Sequence, residues 1–134
     1  MQMAVGLIEA LGLTTAVSAL DAASKAADVT LIGFEKVIGV GKAVGVNIQI
    51  AGEVAAVKAA VAAGVEAGNR VGTVIASHVI PRPHDEVDKL LEKFSRNLKG
   101  NNKEIEKQEK EKQEKEQKEK DKTKTKNKKS NKEE

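Results

Sequence analysis

The strongest limit on what this chain can fold into is the change of composition after Phe94. Beyond it the only large apolar residues are Leu98 and Ile105, and the rest is mostly Lys, Glu, Gln and Asn. Such a segment cannot bury enough surface to offset its chain entropy. A core must therefore come from residues 1–94, and 95–134 reads as a disordered, Lys/Glu-rich low-complexity tail. Charge divides at the same place. Residues 1–94 hold eight Lys/Arg against ten Asp/Glu, and 95–134 hold fifteen against ten, so the basic pI of about 9.0 belongs to the tail.

A body of that size buries only about 60–65% of its unfolded surface and is marginal alone. Phe34 and Phe94 are its only rings, and Ala and Val supply most of its apolar side chains. Burial between subunits would relieve that deficit. Without cysteine there is neither a disulfide nor a thiolate metal site, which suits a reducing cytosol. The N-terminus has no signal-peptide pattern, and no run approaches eighteen apolar residues. The expectation is a soluble, intracellular protein.

Periodicity orders the body. Residues 3–9 read as a strand, and Thr14 or Thr15 is placed to cap a helix running to about Ala27, with Val17, Leu20, Ala23 and Ala27 on one face. Residues 29–34 read as a second strand closed by Glu35-Lys36. Gly39 and Gly41 interrupt the pattern, and residues 44–50 then alternate, with Val44, Val46, Ile48 and Ile50 on one side and Gly45, Asn47 and Gln49 on the other. The valines 54, 57, 61 and 65 stripe a helix over 52–69. Residues 73–80 make a fourth strand, stopped by Pro81 and Pro83. Asp85-Glu86 open a last helix with Val87, Leu90, Leu91 and Phe94 on its apolar face. The order β-α-β-β-α-β-α predicts an α/β fold of the α+β type: a ferredoxin-like, four-stranded antiparallel sheet with flanking helices packed against one face. In the tail, Glu106/Lys110, Glu111/Lys115, Glu114/Lys118 and Glu116/Lys120 stand four apart with Glu first, the spacing of a solvated helix.

Catalytic chemistry finds little support. His78 and His84 are the only histidines, and no third ligand stands at a metal-binding spacing. Gly39-Val40-Gly41-Lys42 is no Walker loop, because Lys36 occupies the first glycine position and Ala43 follows the lysine; a dinucleotide fingerprint fails at Val44. By turn chemistry the segment is a hairpin loop. The tail has no aromatic to stack on a base and no apolar face to enter a bilayer. Neither nucleic acid nor membrane is an expected partner, and no cofactor is implied.

One segment stands apart. In His78-Val79-Ile80-Pro81-Arg82-Pro83-His84 the chain's only two prolines bracket an arginine and fix the direction in which its guanidinium is offered. This stretch resembles the signature of hexamer-forming, single-domain bacterial microcompartment shell proteins. Val5-Gly6-Leu7-Ile8-Glu9-Ala10-Leu11-Gly12-Leu13, Lys25-Ala26-Ala27-Asp28-Val29 and Leu31-Ile32-Gly33-Phe34-Glu35-Lys36 follow the family pattern in order, over residues 3 to about 93. The resemblance implies a homohexamer that tiles edge to edge into a shell in the bacterial cytoplasm, together with other shell proteins and encapsulated enzymes. It implies no enzymatic activity. Lys25 and Arg82 match the family's hexamer-edge residues. Ile38, Gly39, Val40, Gly41 and Lys42 fall on the loop that lines a central pore for small metabolites. That loop is longer than the family's usual Gly-Ser-Gly form, with Val40 in place of serine and Val37-Ile38 and Lys42-Ala43 added. Inward N–H groups and six Lys42 ammonium groups would favour anionic and polar metabolites, whereas a ring of Val40 would dewet a narrow channel. A small-molecule sensor on a related ferredoxin-like fold, with residues 39–45 as its responsive loop, is the alternative.

Overall fold

A computed structural model describes residues 3–40 and 42–100, and in the tail 110–111, 114–115 and 117–118. The chain divides into two compact units, Met1–Leu98 and Lys99–Glu134. Its elements are β1 (Ala4–Leu11), α1 (Leu13–Ala26), β2 (Val29–Val40), β3 (Ala43–Gly52), α2 (Val54–Val71) and β4 (Val74–Ile80), followed by a helix α3 over 85–100. The strands form one antiparallel sheet in the order β2-β3-β1-β4. This is the predicted element order and the split βαβ arrangement.

The core lies between the sheet and α1 and α2. Ile8, Val46, Ile48 and Ile50 from the sheet meet Ala16, Ala19, Ala23, Val57, Ala60 and Val61 from the helices, all buried. A core so poor in large side chains closes because its layers approach closely. A Cβ on Gly6 would stand 2.7 Å from Val61 Cγ2, so α2 rests directly on β1 there; one on Gly64 would stand 2.9 Å from the Ala19 carbonyl oxygen, so α1 and α2 nearly touch at backbone level. The valine stripe of α2 packs as expected.

Several expectations are corrected. No threonine side chain caps α1: Gly12 holds the cap position with φ 80° and no side-chain cap, while Thr15 is buried. The buried face of α1 is Thr15, Ala16, Ala19 and Ala23, and Val17 is 53% exposed, because close contact with α2 demands small residues. Strand β2 does not stop at Glu35-Lys36 but pairs with β3 through Val40. The helices also do not share one face. A Cβ on Gly33 would stand 3.0 Å from the Phe94 carbonyl carbon and 3.1 Å from the Ser95 nitrogen. Gly33 lies opposite Gln49, on the face away from Ile48 and Ile50, so α3 covers the second face. Asn97 Nδ2 fastens it there, donating to the Phe34 carbonyl and, at 2.9 Å, to Glu35 Oε2. That cover makes Gln49 only 1% exposed, although β3 reads in sequence as half-exposed.

The α3 helix continues past Phe94 to residue 100. In the tail, Glu111, Glu114, Lys115 and Lys118 are helical and exposed. The expected pairs Glu106/Lys110 and Glu116/Lys120 each include a residue outside the described ones, and the stretch 123–134 lies wholly outside them.

Candidate functional site

The candidate residues lie at two opposite ends of the sheet. At one end stands the β2–β3 turn. Val37 pairs with Gly45, Ile38 with Val44 and Val40 with Ala43, with an irregularity between Ile38 and Val40. Neighbouring β1 reaches only as far as Leu11 opposite Gly45, and the Gly12 N–H donates to the Val44 carbonyl at 2.8 Å. The hairpin is therefore pinned at its base and projects past the rest of the sheet. Gly39 has φ 93° and Lys42 φ 61°, left-handed conformations that turn the chain and that Gly39 adopts freely. Ile38 is 88% exposed, Val44 44% and Val37 39%. Gly41 and the side chain of Val40 lie outside the described residues. Of the residues singled out from the sequence, Ile38, Gly39, Val40 and Lys42 thus belong to one hairpin tip, and the structure adds Val37 and Val44 beside them. The sequence put Val44 in one row with Val46, Ile48 and Ile50, and the structure leaves it 44% exposed where those three are buried.

At the other end lie the two cations. Val29, Gly52 and Ala4 are in register, and Val5 faces Ile80, so the start of β2 and the end of β4 share this end. Lys25 stands in the last turn of α1, four residues before Val29, where a cation complements the helix dipole. It pairs with Asp21 at 2.8 Å, with both side chains largely exposed. Such a pair contributes under about 0.5 kcal/mol and leaves the ammonium available. Arg82 follows β4 by two residues. Its neighbour Pro83 is buried, while Arg82 itself is exposed.

His84 completes the joint. Its Nδ1 accepts the Glu86 N–H at 3.2 Å, and its carbonyl accepts the N–H groups of Val87 and Asp88. It starts α3 as a cap, so the two prolines and His84 hold the Arg82 backbone between a strand end and a helix start. His78 is exposed on the edge strand β4.

The BMC domain model matches residues 4–83, a span that includes all four strands, the hairpin tip, Lys25 and Arg82. The chain belongs to the BMC domain family. It is 51% identical over 92 residues to bacterial microcompartment shell protein PduA of Citrobacter freundii, covering 69% of this chain and 95% of that protein. It is 48% identical over 93 residues to carboxysome shell protein CcmK1 of Thermosynechococcus vestitus, covering 68% and 79%. Bacterial microcompartment shell protein EutM of Escherichia coli is 42% identical over 102 residues, covering 76% and 98%. Among solved structures, a microcompartments protein from Desulfitobacterium hafniense DCB superposes with a TM-score of 0.59 at 31% identity; the match covers 66% of this chain and 48% of that one, about half its length. The BMC match ends at Pro83, so α3 and the tail lie beyond it.

Proposed function

We propose that this protein is a structural element of a bacterial microcompartment shell in the bacterial cytoplasm. Six copies close into a ring with the β2–β3 tip at the axis and the Lys25 and Arg82 end at the rim. Rings tile edge to edge, and the central opening passes small metabolites. Other shell proteins and encapsulated enzymes are its partners, and it catalyses nothing itself. The observation that carries this reading is the polarity of the sheet. The tip and the two edge cations lie at opposite ends of β2, a 12-residue strand that spans roughly 36 Å at about 3.3 Å per residue, so one wedge supplies both an axis and a rim. The shell-protein relatives support the role.

At the rim Arg82 makes no hydrogen bond or ion pair with the other described residues, so its donors are free for a neighbouring ring. Each such contact is weak, but a ring makes six at once, and multivalent assembly is correspondingly steep.

Electron microscopy of purified wild-type and Lys25→Ala protein, with light scattering for mass, tests the proposal. The wild type should form sheets or tubes with a hexagonal repeat, and the variant discrete hexamers. A wild type that forms neither hexamers nor arrays overturns it.

A further inference from the structure

Where the side chains of the β2–β3 hairpin stand decides between two opposite outcomes for an opening built from it. Inward peptide groups and the Lys42 ammonium would attract anions, whereas apolar side chains would repel ions of both signs. Pairing of Val37 with Gly45 and of Ile38 with Val44 gives these side chains the alternating directions of a strand, up to the irregularity between Ile38 and Val40. Ile38 and Val44 face each other across the ladder, on the same side as Phe34, Val46 and Ile48. That side lies under α1 and α2 farther along the sheet. Past Val46 the cover ends, and exposure rises from 1% at Val46 to 44% at Val44 and 88% at Ile38. Lys36, in register with Val46, is exposed at the base of this side, and Val37 and Gly45 occupy the other, so the last two pairs before the turn, Val37–Gly45 and Ile38–Val44, are apolar on both sides of the ribbon.

These side chains have nowhere to withdraw. Isoleucine and valine are stiff at χ1, and the bond from the Gly12 N–H to the Val44 carbonyl fixes the base of the ribbon. Lys42 is placed differently. It stands on the turn itself, exposed, with φ 61°, and its long stem carries the charge out to water.

We propose that the Ile38–Val44 pairs of the ring form an apolar collar that passes small uncharged organic molecules and rejects ions of either sign. This inference rests on the ring described above, with its tip at the axis. An ion entering such a constriction sheds hydration water and meets no replacement ligand, while a small neutral molecule gives up little. Lys42, outside the constriction, does not set the selectivity.

The chain has no cysteine, so Ile38→Cys introduces a single thiol at the collar while Val44 keeps it apolar. The full-length variant, as rings verified by native mass spectrometry, is treated with three small thiosulfonates: neutral methyl, cationic trimethylammonioethyl and anionic sulfonatoethyl. Ser24→Cys, on the exposed surface of α1, gives the reference rates. At position 38 both charged reagents should be slowed at least tenfold relative to the neutral one, after division by the same ratio at position 24. Adding Val44→Ser should restore the charged rates, and adding Lys42→Ala should leave the ratios unchanged. Intact rings in which position 38 reproduces the reference ratios, or slows the cation alone, overturn the collar and leave the ring standing. Failure to form rings overturns both.

Discussion

Gly64→Ala sets two effects of known sign against each other. In an exposed helix interior, replacing glycine by alanine stabilises by about 1 kcal/mol. Here the new methyl would stand 2.8 Å from Ile8 Cδ1, 2.9 Å from the Ala19 carbonyl oxygen and 3.3 Å from Ala23 Cβ. The isoleucine tip can rotate aside, but the Ala19 oxygen belongs to the backbone of α1. Restoring an ordinary contact of about 3.4 Å moves that helix by about half an ångström, in an interior with little slack. Overpacking of this kind costs about 2–3 kcal/mol, which leaves a net loss of about 1–2 kcal/mol. For a body the size of Met1–Leu98, 1 kcal/mol corresponds to about 5 °C in Tm, so the drop should be about 5–10 °C. Gly68→Ala, one turn later, is the internal control. Its methyl meets Val74 Cγ2 at 2.7 Å, a side-chain tip, and Ala19 Cβ at an ordinary 3.4 Å. Val74 can shift its rotamer for about 0.5–1 kcal/mol, which the helix-propensity gain offsets. Circular dichroism melts at one fixed protein concentration, so that mass action is shared, should place Gly68→Ala within about 3 °C of wild type. A Gly64→Ala protein as stable as wild type, or more stable than Gly68→Ala, refutes the claim that backbone contact between α1 and α2 sets this core.

Further predictions concern the sheet, its β2–β3 turn and its second cover. Asn97→Ala removes the donations to the Phe34 carbonyl and the Glu35 carboxylate and should cost about 1–2 kcal/mol; hydrogen exchange should show lost protection in 85–98, with α1 and α2 unchanged. Gly39→Ala should lower the urea midpoint by the equivalent of about 1–2 kcal/mol, purely from its φ of 93°, since a Cβ there meets nothing within 4 Å. Lys42→Gly, at φ 61°, should raise it by up to about 1 kcal/mol. Gln49→Met should stay within about 1 kcal/mol of wild type, because it removes both the Nε2 bonds to Asn47 and a buried Oε1 without a hydrogen-bond partner. Gln49→Glu, which buries a charge at the same place, should cost at least about 3 kcal/mol in the same denaturation assay.

Order and topology were legible in the sequence because punctuation and period agreed: Gly12, Gly52, Gly72 and Pro81 fall at element ends, and the valines of α2 recur at helical spacing. Hydrophobicity misled where contact distance mattered more. On α1 it favoured Val17, yet helices that nearly touch at Gly64 bury Ala16, Ala19 and Ala23 and leave Val17 outside. Charge misled at Glu35-Lys36, read as a strand stop. Glu35 accepts from Asn97 on the α3 side, and Lys36, on the outer strand β2, is exposed, so neither charge is buried unpaired and the strand continues. The second cover was hidden for a related reason. Gly33 and Gln49 carry no apolar signal, yet they form the flat floor on which α3 lies.

The candidate site was legible where it depended on backbone chemistry: two prolines around Arg82, and glycines at the β2–β3 turn. It was illegible where it depended on what covers what, and there the distribution of apolar side chains becomes informative. Half of the residues packed in the main core cluster are alanine or smaller in effect on volume, whereas Leu13, Val17, Ile38, Val71, Ile75 and Leu90 are 42–88% exposed. A domain of under about 100 residues is marginally stable alone, and side chains left half or more in water forgo a large part of the roughly 1.5–3 kcal/mol that full burial of each contributes. The arrangement makes sense if close-packed small residues hold each wedge together while the larger ones are kept for contact between wedges. In the proposed ring the apolar hairpin tip follows the same rule as the flanks: Ile38 and Val44, exposed in the single chain, would be covered by their counterparts in neighbouring wedges.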